Sequence, residues 1–391
     1  MVIFYNTHIT ASFSLIRAFT LKFNLLKSLF IFLCGLSYTG ITSCVNTQQI
    51  KIENDTHKAK LIYQHKSFMS INVAFVPESS QAIINNSENA LIIDYEKNNE
   101  IGTLPSPDTD YSINSVSVSP DNNSLLLATK TAVQLWDINT LKPLSSFTSK
   151  KYSQINAFSP NGKYLIFNEK VINLSSNQVV MEFSHDVVPT EYDFSDNDQF
   201  LAIGGHISGT AIIDIENKLQ MNTIFNKGMQ STRFGINSDL YSGYNSKLLP
   251  DLGGYYAASI GLYDIKNQQR QHEYTPSNRI SCWVRLSNNK ILATLVNGKI
   301  QLLSQQLDLE KSWQLGDKIT LCAAGNNNTA WMGSEKAGIY LFDLNSGVIN
   351  RVIESINDPA QLVISKDGTH LGIVKQMRDG AGVNIYSIAM P

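Results

Sequence analysis

Charge is scarce in this 391-residue chain. Asp, Glu, Lys and Arg make up 16% of it, and 31 basic against 33 acidic residues leave a formal net charge of −2. Soluble chains average about 25% charged residues. Without a basic surplus there is no footprint for the phosphates of nucleic acid, which bind through clustered Lys and Arg. Cysteine is almost missing: four residues in the whole chain exclude a small scaffold built on disulfides. No apolar run reaches the roughly 20 residues of a spanning helix, which excludes a multi-span membrane protein. The motifs of common chemistry are missing as well. There is no Gly-x-Ser-x-Gly elbow, no Walker phosphate loop, and no pair among the seven histidines at metal-binding spacing. What is present is a hydrophobic fraction of 43%, enough for a sizeable core and too much for wholesale disorder.

Residues 1–43 contain Arg17, Lys22 and Lys27 but no Asp or Glu, so the rest of the chain is more acidic than the total suggests. Lys22 and Lys27 precede the apolar run Ser28–Leu36, the order of a basic segment and a short hydrophobic core in a secretory signal. Then follows Ile41-Thr42-Ser43-Cys44. This tetrad resembles the lipobox of bacterial lipoprotein signal peptides: an aliphatic residue, two small or β-branched ones, then cysteine. The resemblance implies cleavage before Cys44 and diacylation of its thiol. Cys34 follows the bulky Phe32 and Leu33 and fits less well. An ordinary secretory signal that happens to contain a cysteine is the alternative. Val45 rather than Asp follows Cys44, which by the same resemblance favours the outer membrane. Residues 44–58 are polar, lack apolar periodicity and read as a flexible tether. The expected boundaries are therefore 1–43, 44–58 and 59–391.

The main body repeats. An alternating apolar strand ends in Asp followed by an apolar residue at Leu135-Trp136-Asp137-Ile138, Ile212-Ile213-Asp214-Ile215, Leu262-Tyr263-Asp264-Ile265 and Leu341-Phe342-Asp343-Leu344. Degraded copies place the equivalent position at Asp94, Asn173, Ser304 and Ser387. The mean spacing is about 42 residues, within the range of about 40–45 for propeller blades. Upstream in several units lies a second pattern of strand, tight turn and strand. Val118-Ser119-Pro120-Asp121-Asn122 precedes Leu125–Ala128, and Phe158-Ser159-Pro160-Asn161-Gly162 precedes Tyr164–Phe167. These are hairpin signatures.

Together the hairpins and the Trp136-Asp137 dipeptide resemble the WD40 family over roughly residues 59–391. The resemblance implies an all-β propeller of four-stranded blades. Eight copies of the third strand favour eight blades, with seven possible if one weak copy is false. Only Trp136-Asp137 is the literal dipeptide, and the usual opening Gly-His is missing; His185 is the residue most similar to the blade-start histidine. The last unit lacks an outer strand. The N-terminal segment Ala59–Gln64 has a strand pattern that could supply it and close the ring.

Asp137, Asp214, Asp264 and Asp343 recur at one blade position. They read as turn formers that accept backbone N–H bonds, rather than as a ring of metal ligands. Cys282 and Cys322 fall on the inner strands expected for adjacent blades. Those strands do not share a sheet, so the pair reads as two buried apolar residues rather than a bond. One unit is longer than the others. Its excess, between the second and third strands of the fifth blade, carries Tyr244, Lys247, Leu248, Leu249, Tyr255 and Tyr256. A long aromatic loop is a candidate contact surface; covering a blade edge is the equal alternative.

The expected protein is an envelope lipoprotein, held on the periplasmic face of the outer membrane by its lipid alone. Its propeller would be a monomeric, non-enzymatic scaffold for other envelope proteins, without cofactor, metal or nucleic acid. One alternative is the outer-membrane assembly lipoprotein with quinoprotein-like repeats, which Asp343-Leu344-Asn345-Ser346-Gly347 approaches; Arg351 stands where that pattern has Trp. Another is a sugar-binding or hydrolytic propeller.

Overall fold

The structure is a computed structural model. It describes residues 47–49, 52–54, 59–67 and 72–389, apart from 87, 150–155, 184–188, 206–208, 222–230, 236–238, 245–257, 327, 355, 357–358 and 378–379. The described strands form eight sheets, each with four antiparallel strands, a (inner) to d (outer). Blade 1 shows the plan: Asn72–Phe75, Gln81–Asn85, Asn89–Asp94 and Asn99–Pro105, hydrogen-bonded in that order. The chain is an eight-bladed β-propeller, and the choice between seven and eight blades is resolved.

The sequence builds these sheets through a period of two. Ile83 and Ile92 of blade 1 pack with Leu125, Leu127 and Trp136 of blade 2. The interleaved Ala82, Ile84 and Ile93 pack with Val374, Val383 and Ile385 of blade 8. Alternate side chains thus serve opposite neighbours, so strands b and c are apolar on both faces, as in Ile291–Leu295, where all five residues are buried. Each fully buried Ile or Leu contributes about 1.5–3 kcal/mol. The eight core clusters correspond to the eight interfaces between consecutive blades, including that between blades 8 and 1. The ring is closed by packing.

It is closed by pairing too. Blade 8 takes its strands a to c from Gln361–Ile364, His370–Met377 and Gly380–Ile388, and its outer strand is Ala59–Ser67, antiparallel to Gly380–Ile388. This bears out the closure read from the sequence. The adjoining stretch, expected to be a free tether, differs over six residues. Thr47–Gln49 adds in parallel to Ser312–Gln314 on the outer edge of blade 6, and Ile52–Asn54 to Ile349–Arg351 on that of blade 7. Such pairing uses the backbone groups of an exposed edge and needs no apolar stripe. That is why hydrophobic periodicity gave no sign of it.

A second correction concerns the cysteines. Cys282 and Cys322 form a disulfide, with Cα atoms 6.0 Å apart. Strands a of blades 6 and 7, Ile280–Arg285 and Ile319–Ala324, belong to different sheets but lie against each other. Blades converge toward the axis, and there two unpaired strands come within bridging distance.

Candidate functional site

The two faces of a propeller carry different loops. The a–b and c–d turns lie on one face; the b–c and d–a loops lie on the other. The sequence-predicted aspartates sit on the first. Asp137 accepts the amides of Asn139 at 3.0 Å and Thr140 at 2.7 Å, and these bonds, that of Thr140 foremost, hold its carboxyl below the usual carboxylate range. Asp214 accepts the Asn217 amide at 3.0 Å, Asp264 that of Asn267 at 3.1 Å, and Asp343 that of Asn345 at 2.9 Å. The Asn267 amide likewise keeps Asp264 low. In blade 1, Lys97 gives both its amide and its ammonium to Asp94, whose carboxyl falls to about 2. Four residues after each of these positions the backbone turns left-handed, at Asn98, Leu141, Lys218, Gln268 and Gly347.

The a–b turns on this face are equally fixed. The serine hydroxyls of Ser119, Ser195 and Ser365 each accept an amide from the start of strand b and donate to the side chain two residues on. Blade 3 carries Asn161 two residues after its serine, as blade 4 carries Asn197. In blade 3 Ser159 reaches into blade 4 instead and donates to Asp198 at 2.6 Å. Asp198 also accepts the Asn161 amide at 3.1 Å, so one buried carboxylate clasps two blades. A further inter-blade contact runs from the Phe234 amide in blade 5 to Asp193 in blade 4, at 2.6 Å. Burial pushes the Asp193 carboxyl above the usual range, against the opposing pull of that amide and of Arg233 and Arg285.

The opposite face holds a cleft of about 570 Å³ where blades 8, 1 and 2 meet. Asn72 and Gln361 open strands a of blades 1 and 8; residues 110–114 belong to the d–a loop into blade 2, and Lys130 to its b–c turn. The walls are tied down. Thr131 donates to Asp108, and with the Asp110 amide it keeps that carboxyl below its usual range. Asn85 accepts the Asn72 amide at 2.8 Å and donates to Ile113 O at 3.0 Å, while Asn72 Nδ2 donates to Asn114 O at 3.1 Å. Two lining oxygens, Asn114 Oδ1 and Gln361 Oε1, are shut off from bulk water without a partner among the described residues.

The long loop of blade 5 springs from this same face. Tyr244 ends strand b and pairs through its backbone with Ser259, which begins strand c. Lys247, Leu248, Leu249, Tyr255 and Tyr256 lie outside the described residues, as do Cys44 and His185. Trp136 is buried, and its Nε1 has no partner among the described residues. Among the described residues no group of three or more His, Cys, Asp or Glu could hold a metal ion. The cleft itself escaped the sequence reading. Its amide residues stand at loop ends, where Asn and Gln are ordinary, and no spacing sets them apart.

No family model matches the chain, and no curated protein matches it. Solved structures match its fold. The C-terminal WD40 domain of Sif2 superposes with a TM-score of 0.68 at 16% identity, covering 87% of this chain and 100% of that one. The Dos1 propeller gives 0.62 at 14% identity, covering 85% and 95%. These likenesses concern the fold.

Proposed function

We propose that this chain is a lipoprotein of the bacterial envelope whose propeller is a monomeric, non-enzymatic scaffold, binding other envelope proteins through the face of b–c and d–a loops. The observation that carries the binding face is the insertion of blade 5. Its ends, Tyr244 and Ser259, open onto the face that holds the cleft. Tyrosines and leucines in a long loop are the residue types of binding hot spots. The disulfide supports export, since such bonds persist in oxidising compartments. The anchor is the Cys44 thiol, by its likeness to the lipobox, with the outer membrane as destination. Several acyl chains would hold the protein there, since a single chain binds only marginally.

Capture from solubilised envelope, with mass spectrometry of the retained proteins, tests the scaffold. Deleting residues 245–256 should abolish retention of the specific partners; unchanged retention overturns that site. Cys44→Ser, followed by membrane fractionation, tests the anchor separately. A soluble product supports lipidation, and an unchanged membrane fraction counts against it.

A further inference from the structure

We infer that the outer rim of blades 6, 7 and 8 is the surface this ring turns to the membrane, separate from the loop face. The inference rests on the reading of Cys44 as the lipid anchor. The chain soon after Cys44 is tied to the ring. Thr47–Gln49 is the outermost strand of blade 6, Ile52–Asn54 that of blade 7 and Ala59–Ser67 that of blade 8. One stretch of chain thus straps three consecutive blades. Only Val45 and Asn46 separate Cys44 from Thr47. An extended chain spans at most about 3.3–3.6 Å per residue, so the lipidated residue stays within about 11 Å of the edge of blade 6. A free tether from Cys44 to Ala59 would reach roughly 50 Å and leave the ring free to tumble. Held this short, the acyl chains enter a bilayer only where the strapped rim lies close to it.

The strap's own surface suits that place. Ile52 and Leu61 are exposed on it. Exposed apolar side chains also stand on the outer strands of blades 1 to 4, at Ile101, Leu144, Val179 and Leu219. Apolarity alone therefore does not pick the side; the short anchor does. Charge agrees with it. Lys60 and Lys66 are exposed on the same strand as Leu61, and neither forms an ion pair among the described residues. Glu53, the one acid in the three strap strands, already has a partner. Beside Leu61 a cleft of about 290 Å³ takes in Lys66 and Lys375, which stand in register on either side of Gly382. No acid lines it among the described residues. Two ammonium groups across a residue without a side chain suit the phosphate of a lipid headgroup, and basic residues next to an anchor draw a protein onto an anionic bilayer.

The test places the full lipidated protein, purified from membranes, in vesicles of phosphatidylethanolamine and phosphatidylglycerol. A phospholipid with a photoactivatable diazirine in its headgroup is the probe, and adducts are mapped by mass spectrometry. They should concentrate on Thr47–Gln49, Ile52–Asn54 and Ala59–Ser67 and be absent from Pro143–Thr148 and Gln178–Glu182, the outer strands of blades 2 and 3. Adducts spread evenly round the ring, or gathered on blades 2 and 3, overturn the assignment. Lys60→Glu with Lys66→Glu should cut the adducts on Ala59–Ser67 about fivefold or more, since each lysine near an anionic surface is worth about that factor; undiminished adducts count against it. The mass of the Cys44 peptide reads the anchor separately. An unacylated Cys44 removes the lipid reading and this one with it, whereas an acylated Cys44 with adducts elsewhere removes this one alone. Hydrogen exchange on the Cys44→Ser chain checks the strap without lipid. Amides of 47–54 should exchange at least about tenfold more slowly than in a free peptide of that sequence, and peptide-like rates overturn the inference whatever the state of Cys44.

Discussion

The strand-c turns of this ring and the cleft between blades 8, 1 and 2 hold their polar groups differently. On the turn face the strand-c aspartates are absorbed by their own hairpins: Asp137, Asp214, Asp264 and Asp343 each accept an amide two or three residues on. On the loop face, Asn114 and Gln361 keep acceptors that nothing among the described residues satisfies. The chain's longest insertion also leaves from there. Polar groups that close turns hold a fold together, whereas a buried acceptor without a donor weakens it. The difference explains why a repeated Asp, which looks like a ring of ligands in the sequence, is absorbed into turn structure instead.

Substitutions should separate the two kinds of group by their effect on stability. The largest loss belongs to the skeleton. Replacing both Cys282 and Cys322 by Ser frees a loop of 40 residues and should cost about 4 kcal/mol in urea unfolding; the unsubstituted chain in reductant should lose the same amount. Asp198→Ala, which breaks the clasp between blades 3 and 4, should cost about 2–3 kcal/mol, the worth of hydrogen bonds to a buried charge. Acid unfolding gives a finer distinction. The Asp94 carboxyl is depressed from 3.8 to about 2 by Lys97, so its contribution is complete above the unfolded value and is lost as pH falls toward 2. Asp94→Asn should therefore lower stability at neutral pH and flatten the acid limb of a melting-temperature profile between these values. At the small end, Asn114→Ala and Gln361→Ala remove buried acceptors that no donor among the described residues meets, and should leave stability unchanged or raise it by up to about 1–3 kcal/mol. A loss of 2 kcal/mol or more there would erase the contrast between the faces.

Much of the skeleton was legible in the sequence for one physical reason: a blade buries strands b and c on both sides, and this leaves dense apolar words such as Ile83-Ile84 and Leu125-Leu126-Leu127 at a regular spacing. Turn chemistry marked the hairpins, as at Ser119-Pro120-Asp121. The missing outer strand of blade 8 pointed to Ala59–Gln64 because that strand pattern belonged to no other unit, and the structure extends it to Ser67. Relations without a periodic signature stayed hidden. The rim strands Thr47–Gln49 and Ile52–Asn54 pair by backbone alone. Cys282 and Cys322 meet because inner strands converge, a distance no spacing encodes. Of the candidate site, the blade 5 insertion was visible as excess length, while the cleft depends on three blades coming together around residues of common loop types.

The most direct test of a binding face opposed to a structural one is hydrogen exchange on the ring with its captured partner bound. Protection should appear in the loop-face segment 245–257, with the turns at 137–141, 214–218, 264–268 and 343–347 exchanging as in the free protein. Protection confined to those turns would contradict the account.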